Sequence, residues 1–221
     1  MVIFRYAVRE LRGTIAHCLA TGSMRLDKDI DNIHAFWFGD LDASGMSPGD
    51  RQKLWFKPSP ETDEECRQRF GALVEEALQG GLTGWQGSDR GIVALVLLLD
   101  QLTRNIYRGS ARVFAGDSRA LALSRHYIAG MHHLSLPPVH QVFLFMPLEH
   151  SEDIAAQNQC VALFESLSAS TGLQAIEGFA RYAVAHRDVI ARFGRFPHRN
   201  ELLGRDSSPD EIDHLKTHGG F

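Results

Sequence analysis

Three stretches of the sequence combine arginine, histidine and carboxylate side chains at spacings that suit ligand binding or proton transfer. The first polar stretch covers residues 99–109. Its residues Asp100, Arg104 and Arg108 are four apart, which would place them on one face of an α-helix with the acid in the favourable N-terminal position. A carboxylate directly after an apolar run would need a partner. The pattern predicts either a structural salt bridge or, together with Asn105, part of a ligand site.

The second polar stretch, residues 145–153, contains an acid and an imidazole side by side. Ser151 is suited to cap a following helix, whereas Glu149 and His150 precede that helix and are candidates for a general acid and base. Gln157 is a candidate ligand contact in the same region. His150 and Asp153 are also spaced for shared metal ligation, but no second metal-binding signature accompanies them.

The third polar stretch runs from His186 to Arg205, and its last part, residues 192–205, is rich in hydrogen-bond donors. Arg195, His198, Arg199 and Asn200 are interleaved with phenylalanines, and arginine suits two-pronged recognition of carboxylate or phosphate. Alternatively, these arginines bind the C-terminal ends of helices and hold the last hairpin together. Both interpretations are open at this point.

The spacing of apolar residues is helical throughout, and no segment alternates as a strand would. Six helices are predicted over residues 30–38, 51–56, 60–78, 151–168, 171–193 and 209–218. Another begins at Ser88 or Asp89 and includes the apolar run 92–99, and one over residues 118–129 is capped by Asp117. A further helix begins at Pro137 and Pro138 and is interrupted at Pro147. Short turns between them predict antiparallel helical hairpins. His186 lies on the apolar face of its helix and is interpreted as a core residue.

Composition narrows the class of protein. With 23 basic and 27 acidic residues the net charge is −4, which argues against a nucleic-acid binder, and no apolar run could span a membrane. Cys18, Cys66 and Cys160 form no paired motif, which fits the reducing cytoplasm. We therefore expect a cytoplasmic protein.

Length and motif content bear on domain organisation and cofactors. Residues 24–221 are expected to form one helical domain, and residues 1–23 an N-terminal extension before a natural start or a targeting segment. No phosphate-binding glycine loop is present, so no cofactor is predicted.

The three polar stretches also carry a family resemblance. Residues 99–109, 145–153 and 192–200 together resemble the uncharacterised bacterial family called domain of unknown function 924, and the resemblance extends from about residue 36 to residue 221. It implies an all-α, right-handed array of helical hairpins similar to tetratricopeptide proteins. It implies no activity, but it suggests that the three stretches belong to one site.

The leading hypothesis is a concave pocket for a small anionic ligand, carboxylate or phosphate. The arginines assigned to the anion are Arg104, Arg108, Arg195 and Arg199, and the groups that would orient it or move protons are Glu149, His150 and His198. The alternatives are a non-catalytic scaffold that binds a peptide or protein, and a metal-assisted hydrolase using His150, Asp153 and His198. The sequence does not decide whether the protein is an enzyme, nor its oligomeric state.

Overall fold

The computed structural model describes residues 28–219, and all regular secondary structure in that range is helical. The α-helices are α1 (28–37), α2 (Arg51–Phe56), α3 (Pro60–Leu78), α4 (Asp89–Val96), α5 (Thr103–Ile106), α6 (Asp117–Ala129), α7 (Pro138–Glu149), α8 (Ile154–Thr171), α9 (Gln174–Phe193) and α10 (Pro209–His218). The all-α prediction is confirmed. Within the described range no helix has the length and apolar character needed to cross a membrane.

Some predictions are not tested by these helices. The extension at residues 1–23, with Cys18, lies outside the described residues. The single domain over residues 24–221 and the tetratricopeptide-like arrangement stay predictions.

Local capping signals define several helix starts as predicted. Ser59 caps α3 and Pro60 takes its first position, while Ser88 caps α4. At α10 the side chain of Ser208 accepts from the backbone of Glu211, whose carboxylate accepts in return from the backbone of Ser208. These bonds satisfy N–H groups that have no partner inside the helix, so short sequence patterns suffice to predict them.

A π-helical segment, Leu97–Leu102, follows α4 and lies entirely in the core. A π-helical turn holds one residue more than an α-helical turn and shifts the face on which later residues lie. Asp100 and Arg104 are close, but α5 ends at Ile106, so Arg108 falls outside the helix and off that face. The predicted single face for the three charged residues is therefore wrong.

The boundary between α7 and α8 also differs from the prediction. α7 continues through Pro147, and α8 begins at Ile154 with Asp153, not Ser151, as its cap. Proline cannot donate a backbone hydrogen bond and usually ends or bends a helix. Here α7 ends only two residues later, and the amide of Gln157 donates to carbonyl groups at and just after that end, at 2.6 and 2.7 Å.

The start of α6 approaches the π-helical segment very closely. Gly116 holds the N-cap position, and a Cβ atom placed on it would lie 2.1 Å from the carbonyl oxygen of Leu99. Asp117, predicted as the cap, makes no capping bond because its carboxylate binds Arg104 instead. Glycine at residue 116 thus allows the contact that brings α6 to the polar residues of the core.

The last hairpin pairs α8 with α9. Gly172, with φ of 64°, ends α8, so α9 begins at Gln174 rather than at the predicted Thr171. Phe164 of α8 and Phe179 of α9 stack with ring centroids 6.2 Å apart. One face of α9 packs on α8, and another borders an open cleft.

Candidate functional site

A cleft of about 700 Å³ opens between α2, the π-helical segment, the end of α7 and α9. Its outer part is lined by aromatic rings of α2 and α9 and by amide side chains. Four polar residues lie along its inner part: Arg104, Glu149, His150 and His186. A mostly apolar cleft of this size with a few converging polar groups is typical of a small-molecule site.

Asp100 and His150 form a hydrogen-bonded pair at the inner end of the cleft. Nδ1 of His150 lies 2.8 Å from Oδ1 and 3.0 Å from Oδ2 of Asp100, whose side chain is fully buried. Burial opposes ionisation of Asp100, but the charge of Arg104 and the hydrogen bonds from His150 and Gln101 outweigh it and hold the pKa of Asp100 well below its ordinary value. An ionised carboxylate only accepts hydrogen bonds, so Nδ1 of His150 is the donor.

This bond leaves Nε2 of His150 as the unprotonated ring nitrogen. Burial, together with the charge of Arg104, lowers the pKa of His150, so the imidazole is neutral at neutral pH. The ring lines the cleft and is partly exposed there. His150 is therefore an oriented base.

Two guanidinium groups and two carboxylates interlock behind His150. Nη1 of Arg104 lies 3.3 Å from Oδ1 of Asp100 and donates to Oδ1 of Asp117 at 3.0 Å. Arg199 donates from Nη2 to the carbonyl oxygen of His150 at 2.8 Å, and its Nη1 lies 3.6 Å from Asp117. The formal charges of this four-residue network balance, so its members need no counter-ion from the cleft.

Glu149 is buried at the end of α7 beside His186. Its Oε1 lies 3.5 Å from Nδ1 of His186, and its Oε2 has no hydrogen-bond partner among the described residues. Burial, reinforced by the charge of Asp100, raises the pKa of Glu149 to about 8. At neutral pH Glu149 is therefore largely protonated.

The neighbouring His186 is a neutral ring that donates from Nδ1. Nδ1 of His186 lies 2.8 Å from the carbonyl oxygen of Tyr182 and must donate to it, so Nδ1 carries a hydrogen that also faces Oε1 of Glu149. Burial lowers the pKa of His186 to about 3, which keeps the ring neutral.

The cleft thus presents a protonated acid and a neutral base from consecutive residues. Glu149 can donate a proton and His150 can accept one at neutral pH, which is the combination needed for general acid–base chemistry. A buried polar atom without a partner is costly. Among the described residues, Oε2 of Glu149 is such an atom.

Three of the residues proposed from the sequence line this cleft, Arg104, Glu149 and His150, and the buried Asp100 binds His150. Two others support it from behind. Arg199 holds the backbone of His150, and Gln157 binds the carbonyl groups where α7 ends. His186, interpreted from the sequence as a core residue, is buried as expected but also lines the cleft.

The remaining proposed residues are used elsewhere. Asn105 and Arg108 both bind Asp63 of α3, with shortest distances of 2.8 and 2.6 Å. Arg195 binds the carboxylate of Glu211 in the capping box of α10. These side chains fix helices to one another.

The third polar stretch is accordingly structural for most of its length. Asn200 accepts from Arg205 at 2.9 Å, and Arg205 in turn binds Glu152. His198 is an exposed residue whose ring lies 5.5 Å from that of Phe196. The predicted group of four arginines around one anion is not assembled, because only Arg104 among them lines the cleft.

The metal site considered as an alternative gains no support. Asp153 caps α8 and pairs with Arg125 at 3.0 Å. Within residues 28–219 no three His, Cys, Asp or Glu side chains are grouped so that they could hold a metal ion.

Sequence reasoning missed the walls of the cleft. The aromatic residues Trp55, Phe56, Phe179 and Tyr182 and the amides Gln52, Gln101 and Gln174 all line it. Helical spacing places Tyr182 on the inward face of α9 with His186, yet 64% of its surface is exposed. The signal in the sequence was the helical spacing of residues 175, 178, 179, 182 and 186, which lie on the cleft side of α9.

Comparison with known proteins gives two matches. A family model described as "Bacterial protein of unknown function (DUF924)" matches residues 33–219. The structure is similar to that of ATU0120, a protein of unknown function from Agrobacterium tumefaciens, with a TM-score of 0.67 and 34% identity over 74% of this chain and 88% of that chain. The comparison with curated proteins gives no match.

Proposed function

Because this chain belongs to the DUF924 family of bacterial proteins, for which no function is established, we propose a function from the cleft itself. The protein binds a small monocarboxylate with an apolar body in the cleft and catalyses proton transfer on this ligand. Glu149 is the general acid and His150 the general base. The observation that carries this proposal is the buried, partnerless Oε2 of Glu149 next to an imidazole oriented by Asp100.

The charges around the inner part of the cleft determine what charge the polar end of the ligand can carry. Asp100 and Asp117 offset Arg104 and Arg199, and Glu149 and His150 are neutral at neutral pH. A singly charged carboxylate can accept from Arg104 and from Glu149. A doubly charged phosphate would bring twice as much negative charge as a monocarboxylate to a region that has no net positive charge, and burial would penalise it more.

A thermal-shift screen tests the proposal. The wild-type protein is mixed with small carboxylates, matched phosphate monoesters and short peptides, and a ligand at about 100 times its Kd should add about 2.7 kcal/mol of stability. We expect carboxylates with an apolar body to give the largest shift. A response only to phosphates or peptides, or to none of the carboxylates, would contradict the proposal.

Matched arginine variants locate the site. Arg104→Gln and Arg108→Gln each remove one guanidinium that pairs with a carboxylate, but only Arg104 lines the cleft. The ligand response should be lost in Arg104→Gln and kept in Arg108→Gln. Glu149→Gln and His150→Gln serve as second variants with smaller effects on packing. Binding retained with turnover lost in these two would support the assigned acid and base.

A further inference from the structure

We propose that the outer part of the cleft is a subsite for an uncharged aromatic group of the ligand, and that Gly178 of α9 is the residue that makes room for it. The inference rests on the proposed function and names its substrate class, an aromatic monocarboxylate. Three observations support it: the rings that form the walls, the contacts that hold these rings, and the empty space beside Gly178.

Aromatic rings face the cleft from two helices. Trp55 and Phe56 come from α2, and Phe179 and Tyr182 from α9. Phe56 is 53% and Tyr182 64% exposed, which is unusually high for large rings on one concave surface. Aromatic rings prefer one another in offset or edge-to-face contact at centroid distances of about 4.5–7 Å. A ligand ring that lies against these rings would find such partners.

The walls are held in place by contacts behind them. Nε1 of Trp55 donates to the carbonyl oxygen of Trp37 at 2.9 Å, and its ring packs edge-on against Phe143 at 4.8 Å. Phe179 stacks on Phe164 and also touches Phe56, at centroid distances of 6.2 and 6.0 Å. A binding surface that is already ordered loses less conformational entropy when a ligand binds.

Gly178 precedes Phe179 in α9 and lines the cleft, at a position where helix formation alone would favour alanine. Elsewhere glycine is required by packing: a Cβ atom on Gly91 or Gly116 would lie 2.1 Å from a backbone oxygen. On Gly178 it would meet only the tip of Arg181, at 3.9 Å. No neighbouring element therefore requires a glycine here. The space that it leaves belongs to the cleft, and its bare backbone offers a flat surface for a planar ring.

The rest of the cleft is uncharged between the walls and the inner polar residues. Gln52, Gln101 and Gln174 contribute amides, and Met146 contributes a thioether. These groups suit a neutral ring and a short linker to the carboxylate, and thioethers make favourable contacts with ring edges. Arg104 and Glu149 then receive the carboxylate at the inner end.

The test compares two ligands that differ only in the ring. Titration calorimetry measures the Kd of 3-phenylpropanoate and 3-cyclohexylpropanoate, which share the carboxylate and the linker. We expect the phenyl compound to bind at least tenfold more tightly. Equal or tighter binding of the cyclohexyl compound would overturn the aromatic subsite and leave the carboxylate site standing.

Matched glycine variants identify the specificity residue. Gly178→Leu fills the proposed subsite, whereas Gly71→Leu adds the same side chain at an equally open position of α3. Gly178→Leu should weaken 3-phenylpropanoate binding at least tenfold, and Gly71→Leu should not. Equal affinity in both variants would overturn the assignment of Gly178. If wild-type protein binds neither compound, the assignment of an aromatic monocarboxylate fails, and the screen of other carboxylates decides whether the proposed function stands.

Discussion

Nδ1 of His150 lies 2.8 Å from Oδ1 of Asp100, and the two residues come from different elements, the end of α7 and the π-helical segment. The bond joins a fully buried carboxylate to a ring that borders the cleft. A change at Asp100 would therefore alter the orientation and tautomer of His150, and it would also reach the cleft through Arg104, which contacts Asp100 and lines the cleft.

Replacing Asp100 by asparagine should destabilise the protein by about 3 kcal/mol, because breaking a buried charge pair leaves Arg104 with only one carboxylate. Urea unfolding at pH 7 measures this loss. Glu75→Gln, which removes the carboxylate from an exposed pair with Arg112, is the control and should change little. If Asp100→Asn lowers the free energy of unfolding no more than Glu75→Gln does, the buried network contributes nothing to stability.

Replacing Glu149 by glutamine should raise stability at alkaline pH. The pKa of this carboxyl is about 8 in the folded protein and about 4.5 when unfolded. Between these values the folded state binds more protons, so stability falls as pH rises, by up to about 1.4 kcal/mol per pH unit. Urea titrations at pH 5 and pH 8.5 should show that Glu149→Gln gains little at the lower pH and several kcal/mol at the higher one. The same gain at both would contradict a raised pKa.

Two buried histidines should make the protein sensitive to acid. Burial lowers the pKa of His34 to about 4 and that of His140 to about 3, and the rings touch with centroids 4.9 Å apart. The unfolded chain binds protons below about pH 6.5, so each histidine reduces stability as pH falls from there toward its folded pKa. His140→Phe should flatten this slope.

Because Glu149 acts in the opposite direction over part of this range, the acid titration is cleanest in Glu149→Gln protein. Unfolding midpoints from pH 7 to pH 4.5 should fall less steeply when His140→Phe is added. Identical slopes would exclude His140 as a source of acid sensitivity.

Replacing Gly116 by alanine should cost about 2–3 kcal/mol, since the new Cβ atom would collide with the backbone of Leu99 and push α6 away. The displacement would also separate Asp117 from Arg104. Gly71→Ala in α3, where a Cβ atom meets only the side chain of Arg67 at 3.9 Å, should instead stabilise by up to about 1 kcal/mol. Urea unfolding should therefore show a lower free energy of unfolding for Gly116→Ala and a higher one for Gly71→Ala.

Local chemistry made much of the fold predictable. Ser59, Ser88 and the Ser208–Glu211 pair satisfy backbone groups within their own helices, so their sequence patterns suffice. Pro147 was misleading because the stabilising amide of Gln157 comes from the next helix. Helix boundaries that depend on such tertiary contacts cannot be read from neighbouring residues.

The sequence predicted the kind of chemistry at the site better than it predicted which residues form the site. Asp100, Glu149 and His150 stand out in the sequence because acids and imidazoles beside apolar runs need partners. Arg108 and Arg195 have the same residue type as Arg104, but their carboxylate partners lie 45 residues before and 16 after them, and no local pattern reveals such pairs. The helical spacing of the wall residues on α9 is the same as that of a core-facing stripe, so it does not distinguish a cleft wall from the core.

The π-helical segment has a consequence for how this site could be gained or lost. A π-turn is equivalent to an α-helix that has received one extra residue, so the register of Asp100 against α7 depends on chain length as well as on residue type. Deleting a single residue from Leu97–Leu102 would restore ordinary helical geometry and change the positions of the side chains within this segment. The fold could survive such a deletion, but Asp100 and Arg104 could not both keep their partners, so an alignment of residue types alone would overlook the loss.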